Sequence, residues 1–563
     1  MAGDFGKTWW GNEWLRSLTN IDYANRIPRG VSYARNGSVK SVIIKENVIK
    51  AKVQGSRRTP YSVTITVNKF TPKEKNTLID GILSHPAIIA ELLNHKLSPA
   101  VLDIAKENQL KVFPSSWQDL GMNCSCPDWA VPCKHIAAVI YKVGQEIDNN
   151  PFLIFELHGV DILQELKKCG ISVGKEVKIE VPDFKTAFKL LDPSAITSIE
   201  VPKELPHFDF SKIVTMGDSI QRLLPKEPPF YDDGDFMRCY AENARRMSKS
   251  ATSVLNGCKQ VYATLDSSPE ELPKKTSGEI SITIDKKHQT AVHFGKIKKK
   301  YSVVSLMQYL SEIGAEDIYD YSDMTFALRS CCLLAFHLAA KGNVVPVITQ
   351  EKEAYEVLWT PFTTDEQTAD IISALNFFFP QGAIIYEVNA RYQYAPEQPA
   401  WLMTSIFLTE IVHRTAKPLS WWDKVYDLFY KCGQYVFDDI GEKNVPGSIK
   451  SWTDHLNAPQ LRYLPIVMVR DESDNGKEFL LDIAITDREQ NDAPIVGLSD
   501  VFSDHEYKAT RFAILRDVSL LSSLVPGIDG YLAHEAKAPI SLDNATFTQF
   551  LFDVVPAMRL LHI

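Results

Sequence analysis

Between residues 39 and 67 the chain reads as strand. Tyr61, Val63, Ile65 and Val67 stand apart by single residues, the two-residue period of a half-buried strand, and 39–53 is rich in β-branched residues. Turn chemistry at Glu46-Asn47 and at Gln54-Gly55-Ser56 divides the stretch. At Thr71-Pro72 the period changes. Leu78 and Ile82, then Ile89, Leu92 and Leu93 past Pro86, keep helical spacing, as do Ile136, Val139, Ile140 and Val143 within 135–147. Farther on, 399–414 and 419–432 read as helices, and 463–470 and 478–485 as strands joined around Asp474-Asn475-Gly476, a hairpin signal. Pro202, Pro206, Pro225, Pro228 and Pro229 mark a looser stretch. The pattern predicts an α+β, multidomain chain. Its expected parts are a β-rich N-terminal unit over 1–165, a connecting segment and Pro-rich linker over 166–230, and a mixed α+β region over 231–563.

Composition changes this picture little. At 563 residues the chain is too long for one core, and its 45% apolar and 23% charged content is ordinary for globular protein. No uninterrupted apolar run approaches the ~18 residues of a membrane span; the nearest, 333–340, contains His337. The opening MAGDFGKTWWG lacks the basic-then-apolar layout of a signal peptide, so a cytoplasmic chain without membrane association is expected. Nine cysteines, an odd number, argue against a disulfide framework. Charge is uneven. Residues 1–150 hold 19 Lys/Arg and 13 Asp/Glu, a balance of 19 − 13 = +6, which leaves 42 − 57 = −15 on the remainder. A basic front on an acidic body fits a nucleic-acid-facing module joined to an interaction domain.

Three of the nine cysteines crowd into 124–133, and these carry the strongest chemistry. NCSCPDWAVPCKHIAAVI contains Cys-x-Cys, six residues, then Cys-x-His: Cys124, Cys126, Cys133 and His135. Four soft or borderline ligands within twelve residues are what tetrahedral zinc requires, and a site with all four positions filled is structural. Cys124 and Cys126, two apart on a turn or bent strand, can aim both sulfurs to one side. A helix beginning near His135 favours the thiolates through its N-terminal dipole. His135 is expected to ligate through one ring nitrogen and donate from the other. Scattered buried cysteines, or a strained Cys-x-Cys disulfide, are the poorer alternatives. Cys169, Cys239, Cys258, Cys331, Cys332 and Cys432 lack ligand spacing.

This arrangement, with Pro-Asp after Cys126 and Pro-Cys-Lys-His at its end, resembles a SWIM-type zinc finger, spanning about 113–145. Phe5-Gly-Lys-Thr-Trp-Trp-Gly, Tyr33-Ala-Arg, Ala51-Lys-Val-Gln-Gly-Ser-Arg, Pro60-Tyr-Ser-Val and Phe113-Pro before Trp117 resemble the bacterial branch of that family. There the finger accompanies a SWI/SNF-family helicase-like ATPase, on the same chain or beside it. Residues from about 231 resemble the helicase-associated region of such ATPases. The resemblance implies one structural zinc, binding of nucleic acid (DNA being expected) or protein, and an ATPase partner.

For nucleic acid, Arg57 and Arg58 between two strands and Lys134 beside the finger offer phosphate contacts. Trp9, Trp10 and Trp14 can stack on bases, though core anchoring is the commoner use. A second basic run, 296–300, reads as a solvated loop. Enzyme motifs fail. Gly6-Lys7-Thr8 lacks the first glycine of a phosphate loop and a preceding strand, and His505-Glu506 and His534-Glu535 have Ala509 and Ala538 where a second histidine is needed. Glu176, Lys178 and Asp183 hold nuclease-like fragments in the wrong order, and Asp232, Asp233 and Asp235 read as a helix-entry loop. The sequence predicts a non-catalytic, zinc-binding, nucleic-acid-binding accessory of a SWI/SNF-like ATPase. The alternatives are the front portion of the ATPase polypeptide itself, suggested by the apolar ending VVPAMRLLHI, and a protein–protein adaptor.

Overall fold

The structure is a computed structural model that describes residues 5–18, 26–93, 96–128, 131–168, 181–190, 205–231, 235–265, 267–268, 270–273, 279–364, 366–389, 392–419, 422–439, 442–456, 461–471, 478–490, 493–519, 521 and 524–561. It is α+β and divides into two compact units, each drawn from more than one stretch of chain. Unit 1 is Met1–Glu180, Leu224–Asp235 and Phe437–Ile563; unit 2 is Val181–Leu223 and Phe236–Val436.

The units do not coincide with the expected division at 165 and 230. In unit 1 the far end of the chain docks on the front: Asn444 Nδ2 donates to Glu146 Oε2 at 3.1 Å, Ser448 Oγ donates to Asn149 Oδ1 at 2.8 Å, and Phe512 packs on the N-terminal core. The proline-rich stretch is folded into both units. Trp452 Nε1 donates to the Pro225 carbonyl at 2.9 Å in unit 1, and Met216 N–H donates to Asn343 Oδ1 at 2.8 Å in unit 2. Composition reports local stiffness and solvation; it carries no trace of a docking that joins residues three hundred apart.

Unit 1 begins with helices α1 (Trp9–Leu15) and α2 (Arg26–Arg35). Strands β1 (Val39–Lys45), β2 (Val48–Val53) and β3 (Tyr61–Thr66) follow as an antiparallel meander, with the turn at Glu46-Asn47 where the sequence places it. Helices α3 (Pro72–Leu83), α4 (Pro86–Leu93) and α5 (Ala100–Glu107) come next; Thr71 and Glu74 form a reciprocal cap at the start of α3. Strand β4 (Gly121–Cys124) then pairs with β3, completing the order β1-β2-β3-β4, and α6 (Lys134–Asn149) closes the domain. Opposed residues share a face, so Val42, Ala51, Val63 and Cys124 point inward together, as do Ile44, Ile49, Ile65 and Met122. On α6, Ile136, Val139, Ile140, Val143 and Ile147 are fully buried. The C-terminal part of unit 1 adds a second sheet around the hairpin Tyr463–Asp471 and Glu478–Asp487; its turn at 474–476 lies outside the described residues.

Unit 2 holds a mixed five-stranded sheet in which Ile384–Asn389 runs parallel to Ile280–Asp285, and a hairpin of Val344–Glu351 with Ala354–Pro361. Helix Pro399–Thr415 fits the expected span. The helix expected over 419–432 is shorter, Lys424–Tyr430, because the Asp423 carboxylate caps it by accepting from Tyr426 N–H at 2.7 Å. Helix Asp323–Lys341 is long and apolar enough to cross a membrane by length and composition, although Arg329 and His337 keep it from being an uninterrupted apolar run. Most of it is buried in the core of unit 2.

Candidate metal centre

Strand pairing places the first two sulfurs. Cys124 ends β4 opposite Val63 and faces inward. Ser125 extends the ladder outward: its N–H donates to the Ser62 carbonyl and its Oγ accepts from Ser62 N–H, both at 2.9 Å. Alternation then turns Cys126 inward again. The chain returns through Pro132, and Cys133 is the N-cap of α6, with extended backbone at φ −81° and ψ 169°. His135 is the second residue of that helix. Its Nδ1 lies 3.8 Å from Cys133 Sγ and 3.9 Å from Cys124 Sγ, and the four donor atoms all fall within 4.8 Å of one another. Tetrahedral zinc with ordinary bond lengths holds S and N donors about 3.6–3.8 Å apart, so the set fits the ion with small adjustment. Among the described residues no other group of three or more His, Cys, Asp or Glu converges in this way.

The electrostatics favour a thiolate at Cys133. The Cys124 hydrogen bond, with smaller help from His135 and the Ile136 backbone, pulls the Cys133 thiol down to about 4. The same partnership with Cys133, followed by burial, pushes Cys124 well above the usual thiol range. Burial raises Cys126, the most accessible of the three sulfurs. Each sulfur also has a backbone hydrogen bond that favours its thiolate: from Cys126 to Cys124, from Asp128 to Cys126, and from Ile136 to Cys133. Three thiolates around a dication leave a net charge of about −1, suited to the N-terminal end of α6.

Aromatic rings wall the histidine. Tyr61 lies 4.7 Å from the His135 ring and Tyr33 meets it edge-on at 5.4 Å. Gly55 closes the third side. A Cβ there would stand 2.5 Å from a Tyr61 ring carbon and 3.0 Å from His135 Nε2, so only glycine fits. His135 Nε2 is buried without a hydrogen-bond partner among the described residues, contrary to the expected donation to an acceptor. The packing against Gly55 explains this, since it leaves no polar group in reach.

The three predicted nucleic-acid contacts lie around this wall. Arg57 is exposed, with its guanidinium 5.5 Å from the Tyr61 ring centre, and Lys134 Nζ stands 4.7 Å from that of Tyr33. Arg58 is exposed on the same loop. Two cations therefore rest on the two rings that flank the ligand histidine. Tyr33, Tyr61 and Gly55 were not singled out by ligand spacing, although each lies in a segment that carries the family resemblance.

The other sequence candidates resolve differently. Gly6-Lys7-Thr8 cradles a carboxylate of the chain itself: Asp148 accepts from Gly6 N–H at 2.9 Å, Lys7 N–H at 3.2 Å, Thr8 N–H at 3.0 Å and Thr8 Oγ1 at 2.6 Å. Burial raises the Asp148 pKa while these donors pull it down. The tryptophans of α1 are anchors, their indole N–H groups donating to carbonyls of Leu97, Ile147 and Ile140 at 2.9–3.0 Å. Lys299 of the second basic run is 3.8 Å from Glu270. Cys169, Glu176, Lys178, Asp232 and Asp233 lie outside the described residues.

Residues 117–144 match the SWIM zinc finger, so this domain is present at the cluster, and residues 213–437 match a domain of unknown function, DUF8276. An uncharacterized protein of Mycobacterium tuberculosis (strain ATCC 25618 / H37Rv), Rv2102, is 34% identical over 157 residues, which are 28% of this chain and 57% of the relative. The chain thus spans little more than half the length of that relative. No solved structure matches. Cys124, Cys126, Cys133 and His135 form a metal centre consistent with one structural zinc.

Proposed function

We propose that the chain is a non-catalytic, nucleic-acid-binding accessory of a SWI/SNF-like ATPase, acting in the cytoplasm, with zinc as the fastener of its binding module. The observation that carries this reading is the placement of Arg57 and Lys134 on the tyrosine rings that wall His135. Metal binding fixes the histidine, the histidine fixes the rings, and the rings hold two cations where phosphate can reach them. A filled Cys₃His set leaves no coordination position for substrate. The one Gly-Lys-Thr loop is occupied by Asp148, which supports the absence of a nucleotide cradle. The ATPase partner rests on the likeness of the N-terminal segments to the bacterial SWIM branch.

The test is a titration of DNA with the full zinc-loaded chain at several salt concentrations. Affinity is expected to fall steeply with salt, and Arg57→Gln with Arg58→Gln to flatten the slope by about two. Added to a SWI/SNF-like ATPase of the same cell, the chain should raise DNA-stimulated turnover by making rebinding intramolecular. ATP hydrolysis by the chain alone, or a lack of any DNA binding, would overturn the proposal.

A further inference from the structure

The solvent face of the β1–β4 sheet carries charge that the metal centre does not use. Inward alternation sends one set of residues toward α6 and the opposite set outward. Lys52 is opposed to Ser62, while Lys50, Thr64 and Asn123 form a row across β2, β3 and β4. Lys45 stands at the end of β1 on the same side. All three lysines are exposed. Lys52 Nζ donates to Ser62 Oγ at 2.8 Å, which holds it flat against the sheet. No carboxylate shares the face in the registers of β1 to β4. Of the acids flanking the sheet, Glu46 in the β1–β2 turn pairs chiefly with Lys69 and more weakly feels Lys45, and Asp119 before β4 pairs with Lys111 at 2.6 Å.

We infer that this face is a second nucleic-acid surface, one that grips the phosphate backbone without reading bases. The inference rests on the proposed nucleic-acid function and adds where the strand lies. Charge complementarity selects a polyanion, since Lys50 and Lys52 share the face with no carboxylate and Lys45, beside Glu46, adds charge at its edge, among hydroxyl and amide groups able to donate to phosphate oxygens. Lys50 and Lys52 are two residues apart, so their stems stand about 6.8 Å from each other along the strand. The face has no aromatic ring in its registers and so offers no platform on which a base could stack. Contacts confined to phosphate and sugar give binding that is indifferent to sequence. An anionic membrane would call for several apolar residues to insert, and the face presents Ile43, 63% exposed, and the half-buried Val48.

The experiment compares the zinc-loaded full chain with Lys45→Gln/Lys50→Gln/Lys52→Gln, by fluorescence anisotropy on a random-sequence DNA duplex between 50 and 200 mM salt. Single-stranded DNA, single-stranded RNA and vesicles with anionic lipid serve as further probes. Exposed lysines can be replaced without disturbing the core, and unchanged zinc content and circular dichroism verify the fold. Three lost phosphate contacts remove about 2.7 from the salt slope on duplex DNA, so the native chain should lose about 40-fold more affinity over that range than the variant. The variant should weaken on unrelated duplex sequences alike. An unchanged slope in the lysine variant, with a flattened slope in the Arg57/Arg58 double variant, would sink the sheet face and leave the proposed function standing. Binding to vesicles with none to any nucleic acid would overturn both.

Discussion

Asp148→Asn tests the loop that resembles a phosphate cradle. The carboxylate, 3% exposed, accepts four hydrogen bonds, three from backbone N–H groups and one from the Thr8 hydroxyl. An amide of the same shape has one accepting oxygen. If that oxygen stays with Thr8, the amide NH₂ faces Gly6 and Lys7 N–H at 2.9 and 3.2 Å, donor against donor. Each buried donor left without an acceptor costs about 1–3 kcal/mol. Relief of the buried charge, whose cost shows in the upward pull of burial on the Asp148 pKa, returns part of this. The expected net loss is ~2–3 kcal/mol, felt at α1. Amide exchange over residues 5–18 should rise by about two orders of magnitude if that free energy is lost from local opening, and the fluorescence of Trp9, Trp10 and Trp14 should shift to the red. Zinc content should not change, because no ligand lies near Asp148. Exchange in 5–18 equal to that of the native chain would refute the reasoning, since four short contacts would then contribute nothing.

Other expectations follow from the same physics. Cys126→Ser or His135→Ala should bring zinc well below one per molecule, measured by metal analysis, and raise amide exchange across 121–133, ahead of α6; full zinc in both would remove the assignment. Gly55→Ala should cost about 1–3 kcal/mol by driving a methyl into the Tyr61 ring, and should make zinc easier to extract with a chelator; unchanged chelator competition would refute the role given to Gly55. Glu91 is pushed up to about 7, chiefly by burial and then by Asp529. Its folded pKa lies above its unfolded one, so the stability it contributes is complete below pH ~4.5 and is lost as pH rises toward ~7. Glu91→Gln should therefore remove ~2 kcal/mol of pH dependence from urea unfolding of unit 1 across that window, a figure reduced for its partial exposure. A pH profile identical to the native one would show that Glu91 is solvated after all.

What could be read from the sequence was local. Four ligands within twelve residues, the alternation of 61–67 and the helix opening at Thr71-Pro72 each concern neighbours along the chain, and each has its counterpart in the structure. The hairpin at 463–487 was legible for the same reason. What could not be read depends on partners far along the chain. Asp148 falls in the apolar stripe of α6, where an acid is out of place, but nothing in the stripe says that a loop 140 residues earlier supplies the donors. The boundary near 230 failed similarly: prolines mark where a chain turns, and the docking of 437–563 onto the front unit is made by scattered contacts such as Ser448 with Asn149. Tyr33 and Tyr61 lie 102 and 74 residues before His135, at spacings that no metal pattern includes.

Helix α6 joins these features. Cys133 caps its start, its first turn holds His135 and its last holds Asp148, so one rigid element carries part of the metal centre at one end and the α1 clasp at the other. Negative charge suits the first end, where free N–H groups project, and is opposed at the last, where carbonyls project. The loop at Gly6–Thr8 offsets that opposition with its own amides. Between the ends, Ile136, Val139, Ile140, Val143 and Ile147 are completely buried and together contribute on the order of 10 kcal/mol of apolar transfer. In isolated zinc-finger peptides the metal supplies nearly all of the folding free energy. Here the apolar seam is independent of the ion. Loss of zinc should therefore free Cys124 to Cys133 and release the Tyr33 and Tyr61 wall, while α6 stays seated on the sheet. The cations held by that wall would lose their fixed positions in a domain that remains folded, so on the proposed function zinc determines the binding surface more than the fold.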